Sequence, residues 1–152
     1  KNGNTKKTKQ PGFKGKLSYK GKIIFLDGKP EDEMLALQVI ETLELGFDIE
    51  DAVLLKKEDV VFEKLGIKGL TRRKNLEEIR GRVIGTQRKA LNTIEDLTGC
   101  IIRVHNNMVG VIGRIQDIEK ALYAIRKIIS GSEHASVYAY LEEQKVLERQ
   151  QL

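Results

Sequence analysis

The hydrophobic pattern of the chain divides into short alternating runs and longer stretches with helical spacing. Leu17 and Tyr19 alternate with Lys16 and Ser18, Lys20-Gly21 marks a turn, and Ile23 to Leu26 make a second short apolar strand. Pro30 suits a first helical position, and Glu31, Asp32 and Glu33 complement the helix dipole. The spacing predicts a helix to about Leu45, with Ala36, Leu37, Ile40 and Leu43 as its buried stripe and Gly46 as its stop. A shorter helix from about Ile49 to Lys56 should follow. Val60-Val61-Phe62 opens a strand reaching about Leu65, and Gly66 and Gly69 break the chain. Leu76, Ile79 and Val83 then fall in helical register until Gly85 interrupts them. A second helix from about Arg88 carries Leu91, Ile94 and Leu97 on one face. Cys100 to His105 is a β-branched strand, Asn106-Asn107 a hairpin turn, and Met108 to Ile112 the returning strand. Ile115 to Ser130 is strongly periodic, Gly131 stops it, and His134 to about Arg149 reads as a terminal helix.

Part of this order repeats. Ala36, Leu37, Ile40, Leu43 and Gly46 recur 85 positions later as Ala121, Leu122, Ile125, Ile128 and Gly131, each set following a strand, a turn and a strand. The expected organisation is therefore a tail at 1–12, a partial unit of hairpin plus helices at 13–57, a complete unit at 58–131, and a C-terminal helix at 132–152. The fold class is α+β, with a three-stranded sheet covered by helices in the second unit.

Charge sharpens the picture. The net charge of +5 conceals blocks of about +8 over 1–26, −8 over 27–67, +6 over 68–92 and −1 over 93–152. Two basic blocks around an acidic one suggest a polyanionic partner and a separate basic one. The tail is basic and rich in breakers, and it reads as disordered, with a sequence-independent contribution to polyanion binding. Aromatic residues are 5% with no Trp, which argues against base stacking on an aromatic platform.

Catalytic chemistry finds no foothold. Cys100 is the sole cysteine, so neither an internal disulfide nor a Cys-based metal site can form, which fits a reducing cytoplasm. His105 and His134 lack metal-ligand spacing, and Glu95 and Asp96 lack a paired partner at a recognisable interval. The acids at 31–33 look like dipole compensation. No enzyme activity, cofactor or metal is expected. No apolar run approaches the roughly 20 residues that span a bilayer, and no apolar leader is present. A chain that starts at Lys1 rather than Met reads as a fragment or a processed product. Tyr138 and Tyr140 read as anchors for the terminal helix.

The stretch from Val83 to Ile94 carries the candidate chemistry. A short helix ends at Gly85, polar Thr86 and Gln87 follow, and a new helix begins at once. Such a turn presents backbone N–H groups and a helix N-terminus to an anion, and Arg82, Arg88 and Lys89 add positive charge. The expected ligand is a run of phosphates, with the bases laid over an apolar groove beside the adjacent strand.

These residues resemble the KH family, whose pattern runs V-I-G-x-x-G-x-x-I-x-x-I. Val83, Ile84, Gly85, Leu91 and Ile94 match, while Arg88 stands where the family has its second glycine. The segments Leu35 to Leu55, Asn75 to Gly85, Thr93 to Gly99, Val109 to Gly113 and Gly131 to Glu142 are similar to the KH-containing Partner of Nob family of small-subunit assembly factors, in its archaeal form. The resemblance implies a type I KH domain preceded by a smaller, incomplete KH-like unit. It implies binding of single-stranded small-subunit rRNA near its 3′ end, and a PIN-domain endonuclease as partner. Carried onto this chain, it implies that Arg82, Gly85, Thr86, Gln87, Arg88 and Lys89 hold phosphates. Ile84, Ile102 and Val104 floor the groove, Arg103 reaches a phosphate or a base edge, and Lys74 and Arg80 extend the basic track; the plainer alternative for Arg72, Arg73 and Lys74 is a solubilising patch. Two alternatives remain open: Arg88 marks a groove that has turned from RNA to protein contact, or the chain is a general KH regulator of mRNA.

Overall fold

A computed structural model describes residues 17–19, 22–24 and 30–151 of the protein, with side chains from Glu33 onward. The basic tail expected at 1–12 lies outside the described residues. Strands β1 (Leu17–Tyr19) and β2 (Lys22–Ile24) pair antiparallel, with Leu17 opposite Ile24. Helix α1 (Pro30–Glu44) and the single turn α2 (Ile49–Ala52), extended by a 3-10 turn at Val53–Lys56, follow. The rest is β3 (Val60–Gly66), α3 (Leu76–Ile84), α4 (Lys89–Thr98), β4 (Ile101–His105), β5 (Met108–Arg114), α5 (Ile115–Ile129) and α6 (His134–Gln150). From β3 to α5 this is the strand–helix–helix–strand–strand–helix order read from the sequence.

The second sheet is antiparallel in the order β3-β5-β4, with Val61 opposite Gly113 and Ile102 opposite Val111. Its central strand is covered on both faces, so every residue from Val109 to Gly113 is buried. Val109 and Val111 face α3, α4 and α5 and join Ile79, Val83, Leu91, Ile94, Ile118 and Ile125 in the main core. Ile112 faces the other way and joins Leu45, Phe47 and Leu55, with Phe62 packed alongside. Period-2 alternation thus sends one strand into two cores. Phe47 meets Phe62 edge to face, with centroids 6.0 Å apart and planes at 87°. The acidic α1–α2 segment therefore roofs the sheet face that the helices of the KH-like order leave bare.

This roof corrects the stripe expected on α1. Ala36 is buried, but Leu37 is 62% exposed, and Ile40 and Leu43 are only half-buried. The buried line is instead Ala36, Val39, Thr42 and Leu45. The Thr42 hydroxyl is satisfied by donating to the Val39 carbonyl at 2.7 Å, which permits a polar residue inside. The 85-residue echo holds in its helix stops, since Gly46 and Gly131 both adopt positive φ. It fails at Leu37, whose counterpart Leu122 is buried.

Candidate nucleic-acid interface

α3 is held at its start by Asn75, whose side chain accepts from the Glu78 N–H at 3.2 Å, and it ends at Gly85, whose N–H donates to the Gly81 carbonyl. Gly85 adopts φ +78°, ψ 165°. Gln87 (φ 54°, ψ 33°) and Arg88 (φ 63°, ψ 18°) then both lie in the left-handed region. Two successive non-glycine residues there are uncommon and costly. Arg88 thus keeps the backbone conformation that a glycine in its place would adopt without strain. Thr86, Gln87 and Lys89 are exposed around the turn, and no side chain caps α4, whose N-terminus begins at Lys89.

The side chain of Arg88 turns back along α4. It donates to Asn92 Oδ1, to Glu95 Oε1 at 2.5 Å and to the Ile102 carbonyl at 2.8 Å. Glu95 Oε2 accepts from the Ile102 N–H at 2.9 Å. Arg103 closes the same cluster: it donates to the Ile102 carbonyl at 2.9 Å, lies 3.5 Å from Glu95 Oε2 and 3.6 Å from Asp51, and sits 5.6 Å from the Phe47 ring centroid. Arg103 therefore ties the edge of β4 to the α1–α2 roof. Glu95, which shows no paired partner at a recognisable interval in the sequence, has partners at both of its oxygens, Arg88 at the head of its own helix and Ile102 with Arg103 on β4. The available signal was the spacing Arg88, Asn92, Glu95 at i, i+4 and i+7 on one helical stripe.

The other expected residues divide. Ile84 and Val104 are half-buried and pack against the main core beside the loop. The Ile102 side chain is wholly buried, so this residue meets the groove with its backbone rather than as an apolar floor. Lys74 is exposed, and Arg80 reaches the Asn106 carbonyl at 3.4 Å, by the β4–β5 turn. Arg82 does not join the loop. Its guanidinium donates to the Ile128 carbonyl at 3.0 Å and the Ser132 carbonyl at 2.8 Å, while His134 Nε2 lies 2.8 Å from the Arg82 carbonyl. Helix geometry explains the difference: Arg82 points from α3 toward the C-terminal end of α5, where the outward-facing carbonyls and the negative dipole end attract a cation.

Burial pushes the Cys100 thiol up to about 11, against the smaller effect of the Thr98 hydrogen bond. A protonated, buried thiol is a poor nucleophile. Desolvation also raises the Tyr138 hydroxyl. Among the described residues, no group of His, Cys, Asp and Glu could hold a metal ion, and no helix is long and apolar enough to cross a membrane.

The family model for the second KH domain of PNO1, described as a Eukaryotic type KH-domain (KH-domain type I), matches residues 61–146. A KH domain-containing protein of Methanocaldococcus jannaschii is 29% identical over 152 residues, covering 95% of this chain and 67% of that protein. The RNA-binding protein pno1 of Dictyostelium discoideum is 31% identical, covering 79% of this chain and 53% of its own length. The chain thus spans about two thirds of the first and about half of the second. Among solved structures, Dim2p from Pyrococcus horikoshii OT3 superposes with a TM-score of 0.70 at 32% identity, over 76% of this chain and 68% of that one. A chain of the a/eIF2alpha-aDim2p-rRNA complex from the same organism gives a TM-score of 0.71 at 32% identity, over 77% and 64%.

Proposed function

The chain belongs to the PNO1-type KH-domain family, and on that premise we propose that it binds single-stranded small-subunit rRNA in the cytoplasm during subunit maturation. The observation that carries this reading is the loop at Gly85-Thr86-Gln87-Arg88, where three positive-φ residues turn the backbone at the head of α4. Thr86, Gln87, Arg88 and Lys89 hold the phosphates, with Lys74 and Arg80 extending the basic track. The strand passes over Ile84 and Val104 along the β4 edge at Ile102 and Arg103. Arg82 supports the site from behind rather than touching RNA. Support comes from relatives named as RNA-binding and pre-rRNA-processing proteins, and from the solved complex of a relative with rRNA. Action near the rRNA 3′ end beside a PIN-domain endonuclease belongs to the same proposal, as does the reading of residues 13–57 as the closing half of a first KH-like unit. The main unit works without a cofactor and as a binding module rather than an enzyme.

One observation favours a second reading, a groove turned to protein contact: Arg88 is tied to Glu95 and Ile102 rather than held out to a ligand. Salt titration of binding to a single-stranded fragment from the rRNA 3′ end separates the two. A strand clamped over about four nucleotides loses affinity with a slope of about −0.7 per phosphate neutralised. Arg88→Gly restores the family loop and removes a cation, so it should bind more weakly and with a shallower slope. Absence of binding by the native chain, with a clear gain in Arg88→Gly, would overturn the RNA reading and promote protein contact. Co-purification with precursor small-subunit particles tests the partner.

A further inference from the structure

The polar edge of the groove is occupied by side chains of the chain itself. Among the described residues β4 pairs with β5 alone, on one side. On its open side the Ile102 N–H is taken by Glu95 and the Ile102 carbonyl by Arg88 and Arg103. Glu95 and Arg88 together thus present to the strand what a nucleobase edge presents, an acceptor beside a donor.

The two members of this pair differ in how freely they can leave. The Glu95 side chain is 19% exposed and anchored by the Ile102 N–H and by Arg103. A carboxylate in that setting cannot lose its partners without cost. Arg88 is more exposed, at 34%, and stems from the loop where phosphate is expected. A phosphate matches a guanidinium as well as a carboxylate does. When Arg88 turns to phosphate, Glu95 keeps its contacts on Oε2 but loses its partner on Oε1, and the Ile102 carbonyl loses one of its two donors, so two neighbouring acceptors are vacated at once.

The vacancy has a definite chemistry, because an ionised carboxylate only accepts. Among the four RNA bases, guanine alone carries two adjacent N–H donors, N1 and N2, on its Watson–Crick edge. Adenine and cytosine set a ring acceptor beside the amino group, and uracil flanks its N–H with two carbonyls. We propose that Glu95 sets the base preference of this groove in favour of guanine at one position of the bound strand, and that Arg88 takes that guanine's place in the free protein. This rests on the RNA-binding reading above.

The test uses the full chain and uridine hexamers carrying one guanosine, adenosine or cytidine moved along the sequence. One register should bind the guanosine form about tenfold or more tighter, the size expected of a hydrogen bond to a charged group. In that register inosine, which lacks only the N2 amino group, should lose most of the gain, and 7-deazaguanosine, which lacks only N7, should keep it. Glu95→Gln retains an acceptor for the Ile102 N–H, and it should flatten the ratio of guanosine to uridine affinity. If a thermal melt shows that this variant does not fold, the two modified bases on native protein decide alone. Hexamers that bind with no guanosine preference would overturn the assignment of Glu95 and leave RNA binding standing. Loss on 7-deazaguanosine with none on inosine would overturn it in favour of Arg88 reading the other base edge. Binding to no RNA of any length would remove both proposals.

Discussion

Gly85 lies so close to Ala90 that a Cβ on the glycine would stand 2.6 Å from the Ala90 nitrogen and 2.8 Å from its Cβ. The tight seat brings the end of α3 against the start of α4, and it is what leaves the turn between them exposed. Gly85→Ala meets both this clash and the strain of φ +78°, so it should cost about 1–3 kcal/mol of stability and weaken RNA binding together. Denaturant melts with parallel RNA titrations measure both. An unchanged midpoint would show that the turn tolerates a side chain. Gly85→Asp should bind more weakly still, since it places a negative charge where phosphate is proposed to sit.

Arg82 should behave as a structural residue. Its two hydrogen bonds go to the Ile128 carbonyl in the last turn of α5 and to the Ser132 carbonyl just beyond it. Arg82→Met keeps an apolar stem and loses both, at a cost of about 2 kcal/mol. The salt slope of RNA binding should stay that of the native chain. A shallower slope at undiminished stability would return Arg82 to the phosphate track.

Two neighbouring positions on α1 should respond in opposite ways. Leu37 is exposed, so Leu37→Asp should change stability by no more than about 0.5 kcal/mol. Val39 is buried at 3% exposure, and Val39→Asp should cost about 3 kcal/mol or more by burying an unpaired charge. Chemical denaturation of the two variants checks this. Equal effects would mean that α1 is not buried along the Ala36–Val39–Thr42 line.

Cys100 predicts a dependence on alkaline pH. Burial raises its thiol from 9.0 to about 11 in the folded state, so folding favours the neutral form. The resulting stability is complete below pH 9 and is lost as pH climbs from 9 toward 11, by about 2–3 kcal/mol in all. Tyr138, raised likewise, acts in the same direction. Melts of the native chain and Cys100→Ala over pH 8–11 isolate the thiol: the native curve should fall more steeply. Parallel curves would show that the thiolate is tolerated where it lies.

The sequence by itself determined the succession of elements from Val60 to Ile129 and the place of the loop. Strand alternation, helical spacing and glycine stops are local properties, written within a few residues of where they act. The need for glycine at position 85 is local in the same sense, because the conformation there is one that side chains resist. Tertiary structure decided which face of α1 is buried. Apolar residues at Leu35, Leu37, Val39, Ile40 and Leu43 run so far around that helix that spacing alone selects no side, and only its packing against α2 and the 3-10 turn that follows it selects one. It also decided the fates of the arginines. Arg82 and Arg88 look alike in sequence, but a long side chain goes to whichever buried acceptor lies within reach. The acceptors that decide, the carbonyls of Ile128 and Ser132 for one and of Ile102 for the other, are brought within reach only when α5 and β4 pack against the helices, whereas Glu95 is offered to Arg88 by α4 itself.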